Sequence, residues 1–166
     1  RRPPLDPVNA LLSFCYTLLT NEVLTAIKTV GLDPYLGSLH AVAYGRPSLA
    51  CDLVEEWRAF LGDRLVLGLI NRGTIGPGDF VLRDIHNTDF VDESELRRKR
   101  PVEMKPAICR AFVQSYEGWR TQAVQDPLHS DQTTHRGLIM RQVRRFEKYL
   151  ADGQAEFMPF PWSGSR

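Results

Sequence analysis

The chain has 166 residues, 43% hydrophobic and 25% charged, with a formal net charge of +1. That length supports one domain with a real core, burying roughly 70% of its unfolded surface, and the composition is that of an ordinary soluble globular protein. No uninterrupted apolar run approaches the roughly 18 residues of a membrane span. Cys15, Cys51 and Cys109 are odd in number, far apart and without a Cys-x-x-Cys pair, which argues against a disulfide framework or structural zinc and for a reducing cytosol. The start Arg1-Arg2-Pro3-Pro4 has no signal-peptide run behind it and no initiator methionine. The expectation is a piece of something longer. The small net charge hides a segregation: residues 32–95 carry five basic and eleven acidic side chains, and residues 97–148 carry twelve basic and five acidic. A phosphate backbone would seek the basic part; the alternative is a set of solvated Arg and Lys faces.

In chain order, Asp6-Pro7 opens a helix with an acidic cap and proline in the first turn. Ala10, Leu11, Phe14, Leu18, Leu19, Leu24, Ile27 and Val30 continue it as an amphipathic pattern ending at Gly31. Gly31-Leu-Asp-Pro34 is turn chemistry, and the stretch to His40 reads as irregular. After the Gly45-Arg-Pro47 turn, Ser48 is the expected N-cap of a second helix. Leu49, Leu53, Trp57 and Phe60 form its apolar stripe, and Gly62 is expected to break it. Asp52, Glu55 and Glu56 lie three and four apart, so their carboxylates leave one neighbouring face. Like charges at that spacing repel by about a few tenths of a kcal/mol. A divalent cation would compensate them, with His40 approaching from the loop as a nitrogen ligand; a solvated acidic face and an ordinary histidine is the competing reading.

Leu65, Leu69 and Ile70 predict a further helix stopping at Asn71-Arg-Gly73. Phe80-Val-Leu82 and Asp89-Phe-Val91 are expected to pair as a small hairpin around His86-Asn87. Arg97-Arg-Lys-Arg100 is a short basic run, and Ile108, Phe112, Tyr116 and Trp119 predict a helix whose stripe is core rather than a base-stacking platform. Residues 126–131 read as a loop. From about Thr134 a last helix turns Ile139, Val143, Phe146 and Leu150 inward, with Arg141, Arg144, Arg145 and Lys148 on its other faces and Gly153 as the stop. The tail Phe157-Met-Pro-Phe-Pro-Trp162 is extended and aromatic, suited to packing back on the domain or onto a partner.

Several of these blocks together resemble the universal CRISPR-associated integrase/endonuclease, the enzyme of spacer acquisition. They are Arg2-Pro-Pro-Leu-Asp-Pro-Val-Asn-Ala-Leu-Leu-Ser13, Gly31-Leu-Asp-Pro34, His40, Gly45-Arg-Pro-Ser-Leu49, Asp52-Leu-Val-Glu55 and Leu69-Ile-Asn-Arg72. The likeness is strong over residues 2–72, and from there it rests on helical layout and the closing Pro-Phe element. It is similar in particular to members of type I systems, some of them fused to a CRISPR exonuclease.

The resemblance implies an all-α fold with at most a small hairpin near residues 80–91, the whole of residues 1–166 being the helical catalytic domain. It implies a metal, Mg2+ or Mn2+, held by His40 and Glu55, with Asp52 as a supporting carboxylate and all three in the catalytic set. The family's third ligand, a glutamate on an upstream helix, and its β-rich dimerisation domain are absent from these residues. The implied partners are double-stranded DNA (prespacer and repeat), a second copy in a homodimer, a small adaptation protein bridging two dimers, and a fused or associated exonuclease. The implied compartment is the prokaryotic cytoplasm, with no membrane. Carboxylates with one imidazole suit such a cation, manganese more than magnesium. DNA would be held by Arg136, Arg141, Arg144, Arg145 and Lys148, together with Arg1, Arg2 and Arg46. Two classes of function remain: a metal-dependent DNA integrase or nuclease, and a non-catalytic DNA-binding or assembly module.

Overall fold

Asp6 caps the first helix as expected. Its Oδ1 accepts the Asn9 amide at 2.9 Å, and Pro7 fills the first turn where no N–H is needed. The computed structural model describes residues 4–40, 43–83, 101–153 and 156–161. Helix α1 runs Pro7–Thr29 and ends in a left-handed Gly31, with Leu32 N–H returning to Ile27 C=O at 3.1 Å and Gly31 N–H to Lys28 C=O at 3.2 Å. That paired closure satisfies the orphan carbonyls of the last turn.

Leu11, Cys15, Leu19, Val23, Ala26 and Ile27 of α1 are all buried. Among the described residues α1 is the one helix long and apolar enough to cross a membrane; in this fold it is the axis on which the other helices pack. Glu22, in its second half, is buried and pairs with Arg120 at 2.7 Å and Arg136 at 2.8 Å. The two halves of α1 serve two apolar clusters. Leu19, Val23 and Ile27 meet Leu53, Trp57, Leu138, Ile139, Val143 and Phe160, while Leu11 and Cys15 meet Leu65, Val66, Leu69, Phe112 and Tyr116. Each such side chain contributes about 1.5–3 kcal/mol by leaving water.

Helix α2 (Ser48–Trp57) and α3 (Arg64–Asn71) are joined by a π-helical segment, Arg58–Asp63. The break expected at Gly62 is therefore a widened turn in one continuous rod. The added residue per turn places both Trp57 and Leu61 in the core. Glycine is required at 62 because a Cβ there would meet Tyr16 Cε1 at 2.9 Å. The Ser48 cap is also corrected: Pro47 holds the capping position and Ser48 is the first helical residue, fully buried.

The fold is mainly helical with small strand pairs, as the sequence indicates. Strand β1 (Phe80–Leu82) forms, but its antiparallel partner is β2, Val102–Met104, with Val81 opposite Glu103. The expected partner Asp89–Val91 and the Arg97–Arg100 run lie outside the described residues. Helix α4 (Pro106–Arg120) buries Phe112 and Tyr116. The loop expected over 126–131 is the tip of a second hairpin, β3 (Ala123–Gln125) with β4 (Gln132–Thr134). Helix α5 (His135–Asp152) follows, capped by Thr134 and closed by left-handed Gly153. Leu150, expected inward, is 52% exposed: the apolar face ends about one turn earlier, where Phe146 meets Phe157 edge-on at 5.1 Å.

The tail packs back on the domain. Phe160 packs tilted against Trp57 with ring centroids 5.1 Å apart, and its N–H donates to Glu56 Oε2 at 2.9 Å. Gln142 Nε2 donates to the same oxygen at 2.8 Å. Burial pushes the Glu56 carboxyl above its ordinary value despite these donors.

Candidate active site

The loop between α1 and α2 is pinned to the start of α2. Leu49 N–H donates to Pro34 C=O at 2.9 Å, and Tyr35 N–H turns onto Asp33 Oδ1 at 2.9 Å. Asp52, buried one turn into α2, then accepts three successive loop amides. Ser38 reaches Oδ2 at 2.6 Å, Leu39 reaches Oδ2 at 3.0 Å and His40 reaches Oδ1 at 2.9 Å. The approach is so close that a Cβ on Gly37 would lie 2.7 Å from Asp52 Oδ2 and 2.7 Å from the Ser48 carbonyl carbon. Glycine is the one residue that fits there.

The same carboxylate orients the His40 ring, with Nδ1 2.7 Å from Asp52 Oδ1. Burial would raise the Asp52 carboxyl, but the bonds from Leu39, the His40 ring and Ser38 outweigh it and hold it below the ordinary carboxylate value. An ionised carboxylate only accepts, so Nδ1 carries the hydrogen of that bond and Nε2 is the ring nitrogen left for another partner. This is the carboxylate–histidine arrangement that prepares imidazoles for a cation. The His40 side chain is 31% exposed, so Nε2 can be reached.

Glu55 lies one turn beyond Asp52 and is 48% exposed, with Oε1 on Arg58 Nη1 at 2.6 Å. Among the described residues its second oxygen has no protein partner. Arg58 in turn lies over the Tyr16 ring at 4.2 Å, and the Tyr16 hydroxyl donates to Asp63. Burial, helped by that bond to Asp63, pushes the Tyr16 hydroxyl up to about 12. Asp52 and His40 are thus joined directly across the loop, while Glu55 shares the helix of Asp52 and is held by Arg58. Gly37, Arg58 and Tyr16 had no signal in the sequence, because each depends on a neighbour 15 or more residues away or on the π-turn.

A second acidic group, Asp126, His129 and Asp131, brings donor atoms within 4.8 Å of one another. Arg141 already occupies it: its Nη1 lies 2.6 Å from Asp126 Oδ2, and its two Nη atoms lie 2.7 and 2.8 Å from the two Asp131 oxygens. Burial opposes ionisation of Asp126, yet Arg141, the Leu128 amide and His129 hold its carboxyl down at about 2. A guanidinium stands where a cation would go, so this cluster does not fit a metal.

The cations expected to hold DNA separate into kinds. Arg141 is engaged as above, Arg136 pairs with Glu22, and Arg145 donates to Gln142 Oε1 at 2.9 Å. Arg46, Arg144 and Lys148 are exposed, and Arg1 and Arg2 lie outside the described residues.

A family model for CRISPR associated protein Cas1 matches residues 1–116. The chain belongs to the Cas1 family. It is 40% identical over 160 residues to CRISPR-associated endonuclease Cas1 3 of Thermus thermophilus, a match spanning 96% of this chain and 44% of that protein. It is also 40% identical over 151 residues to a CRISPR-associated exonuclease Cas4/endonuclease Cas1 fusion of Geobacter sulfurreducens, spanning 91% of this chain and 24% of the fusion. Among solved structures, a casposase bound to integration product superposes with a TM-score of 0.77 at 27% identity, over 96% of this chain and 42% of that one. The chain thus spans less than half the length of these relatives.

Residues of the Cas1 match fit a divalent cation. An imidazole at His40 and a carboxylate at Glu55 are donor types that magnesium and manganese accept, and Asp52 is the carboxylate behind the imidazole.

Proposed function

We propose that residues 1–166 are the helical catalytic domain of a metal-dependent DNA integrase/endonuclease, which inserts short DNA fragments into a CRISPR repeat array by phosphoryl transfer. The observation carrying this reading is the Asp52 clamp. One buried carboxylate binds three loop amides and His40 Nδ1, which fixes the imidazole against the helix that carries Glu55 one turn beyond Asp52. His40 and Glu55 would hold Mg2+ or Mn2+, completed by the glutamate that the family carries upstream. Held there, such a cation would supply polarisation of a scissile phosphate and charge stabilisation for attacking and leaving oxygens. The attacking group is a DNA 3′-hydroxyl in integration and water in nuclease action.

Around that centre, Arg46, Arg144 and Lys148, with Arg1 and Arg2, are the proposed phosphate contacts. The proposed assembly is a homodimer, bridged to a second by a small adaptation protein, in the prokaryotic cytoplasm. The Geobacter relative supports an exonuclease as a fused or associated partner.

The second reading, a non-catalytic DNA-binding or assembly module, is favoured by one observation: among the described residues the centre has only two outward donors, His40 and Glu55. In the full-length protein, His40→Ala separates the two. The catalytic reading expects metal-dependent joining of a short duplex to a repeat-bearing plasmid to be abolished. Mn2+ affinity should fall, while duplex affinity and melting temperature stay near wild type, because Asp52 keeps its three amides. Wild-type joining by a folded His40→Ala protein would refute the ligand assignment. A full-length wild type inactive with every metal would favour the module.

A further inference from the structure

An open groove of about 450 Å3 runs between α3 and α4. Arg64 and Arg72 stand on one wall, Ser115, Gly118 and Gln122 on the other, with Trp119 at its edge and no acidic side chain in the lining. Neither arginine has an ion-pair partner among the described residues, in contrast to Arg136 and Arg141 on α5. Arg64 lies over the Phe60 ring at 4.4 Å, which directs its guanidinium without neutralising it.

Two helix-interior glycines shape the groove. A Cβ at Gly68 would meet Arg72 Nη1 at 3.0 Å, so glycine there lets the Arg72 side chain lie flat along α3. Gly118, in the opposite wall, has nothing within 4 Å of where a Cβ would stand. Glycine inside a helix costs about 0.5–1 kcal/mol against alanine. At Gly118 no protein packing offsets that cost, and the space is left open beside two unpaired cations.

From this lining we infer that the α3–α4 groove is a binding site for the phosphodiester backbone of a DNA strand, with Arg64 and Arg72 on its phosphates. Eight residues at about 1.5 Å each set the arginines about 12 Å apart along α3. A DNA strand carries one charge per about 3.4 Å of axis, so the pair spans several successive phosphates. Ser115 and Gln122 add uncharged donors on the facing wall, which suits backbone contact without base readout. The inference rests on the DNA-acting reading above and adds a surface which that reading does not include.

The test uses the full-length protein with labelled duplex and single-stranded DNA across a salt series. Arg64→Gln with Arg72→Gln should weaken binding to both forms regardless of sequence. It should flatten the log–log salt slope on duplex by about 0.9 per lost phosphate contact, nearly two units in all. Gly118→Leu fills the groove without changing charge, and should weaken DNA binding several-fold with an unchanged or raised melting temperature. Unaltered slope in the arginine pair and unaltered affinity in Gly118→Leu, beside normal wild-type binding and joining, would overturn the groove and leave the catalytic reading standing. A wild type that binds no DNA would overturn both. Equal competition by inorganic phosphate, at matched phosphate concentration, would show a small-anion pocket and overturn the strand.

Discussion

At the residue scale the chemistry turns on how many donors one carboxylate can hold. Asp52 accepts four hydrogen bonds, from the Ser38, Leu39 and His40 amides and the His40 ring, at 2.6 to 3.0 Å. An asparagine in its place offers one carbonyl oxygen and an NH2 group that must face donors. Asp52→Asn is therefore expected to release the His40 ring and lower Mn2+ affinity by about 10–100-fold, read by manganese EPR. The pH dependence has a definite sign. The Asp52 carboxyl is held below its unfolded value of 3.8, so its stabilisation is complete above that value and lost as pH falls through the lower folded one. In the Asn variant this acid-side loss should be absent from melting curves recorded across that range.

At the element scale, α5 shows why a basic helix is not by itself a DNA-binding face. Its arginines alternate between internal partners and solvent. Arg136 and Arg141 close onto acids from α1 and the β3–β4 hairpin, whereas Arg144 and Lys148 face outward. Removing one partner of a pair strands the charge of the other, which costs most where the remaining group is buried. Arg141→Gln leaves the 1%-exposed Asp126 carboxylate with only the Leu128 amide and His129. The expected result is a lowered melting temperature, with duplex affinity nearly unchanged. Arg144→Gln with Lys148→Gln should do the reverse. A calorimetric melt and a salt-series binding assay on the same two variants distinguish the roles.

At the scale of the whole molecule, the last described segment completes the core. Phe160 is 5% exposed, lies against Trp57 and is strapped by Glu56, which also receives Gln142 from α5. Chain ends in α2, α5 and the tail are thereby held at one point. Phe160→Ala should cost about 3–5 kcal/mol through the cavity it leaves, measured by denaturant unfolding, with a change in the emission of Trp57. A wild-type midpoint would mean that the tail merely rests on the surface.

Much of the fold follows from local chemistry readable in the chain. Asp6-Pro7, Gly31, Thr134 and Gly153 start and stop helices because capping needs only neighbours within four residues. The apolar periods that place Leu11, Leu53, Phe112 and Ile139 inward are equally local, and so is the one-face spacing of Asp52 and Glu55. Tertiary structure alone decided what those elements meet. The pairing of β1 with Val102–Met104 depends on contact across a long stretch of chain, and the π-turn at Arg58–Asp63 and the hairpin closed by residues 126–131 depend on what those segments pack against, which no local apolar period encodes. The same holds for charge. Counting arginines located a basic segment, but pairing energies depend on distance and burial. Only the folded chain shows that Arg141 is neutralised by Asp126 and Asp131, that Arg64 and Arg72 have no acidic partner among the described residues, and that His40 is aimed by a carboxylate twelve residues further along.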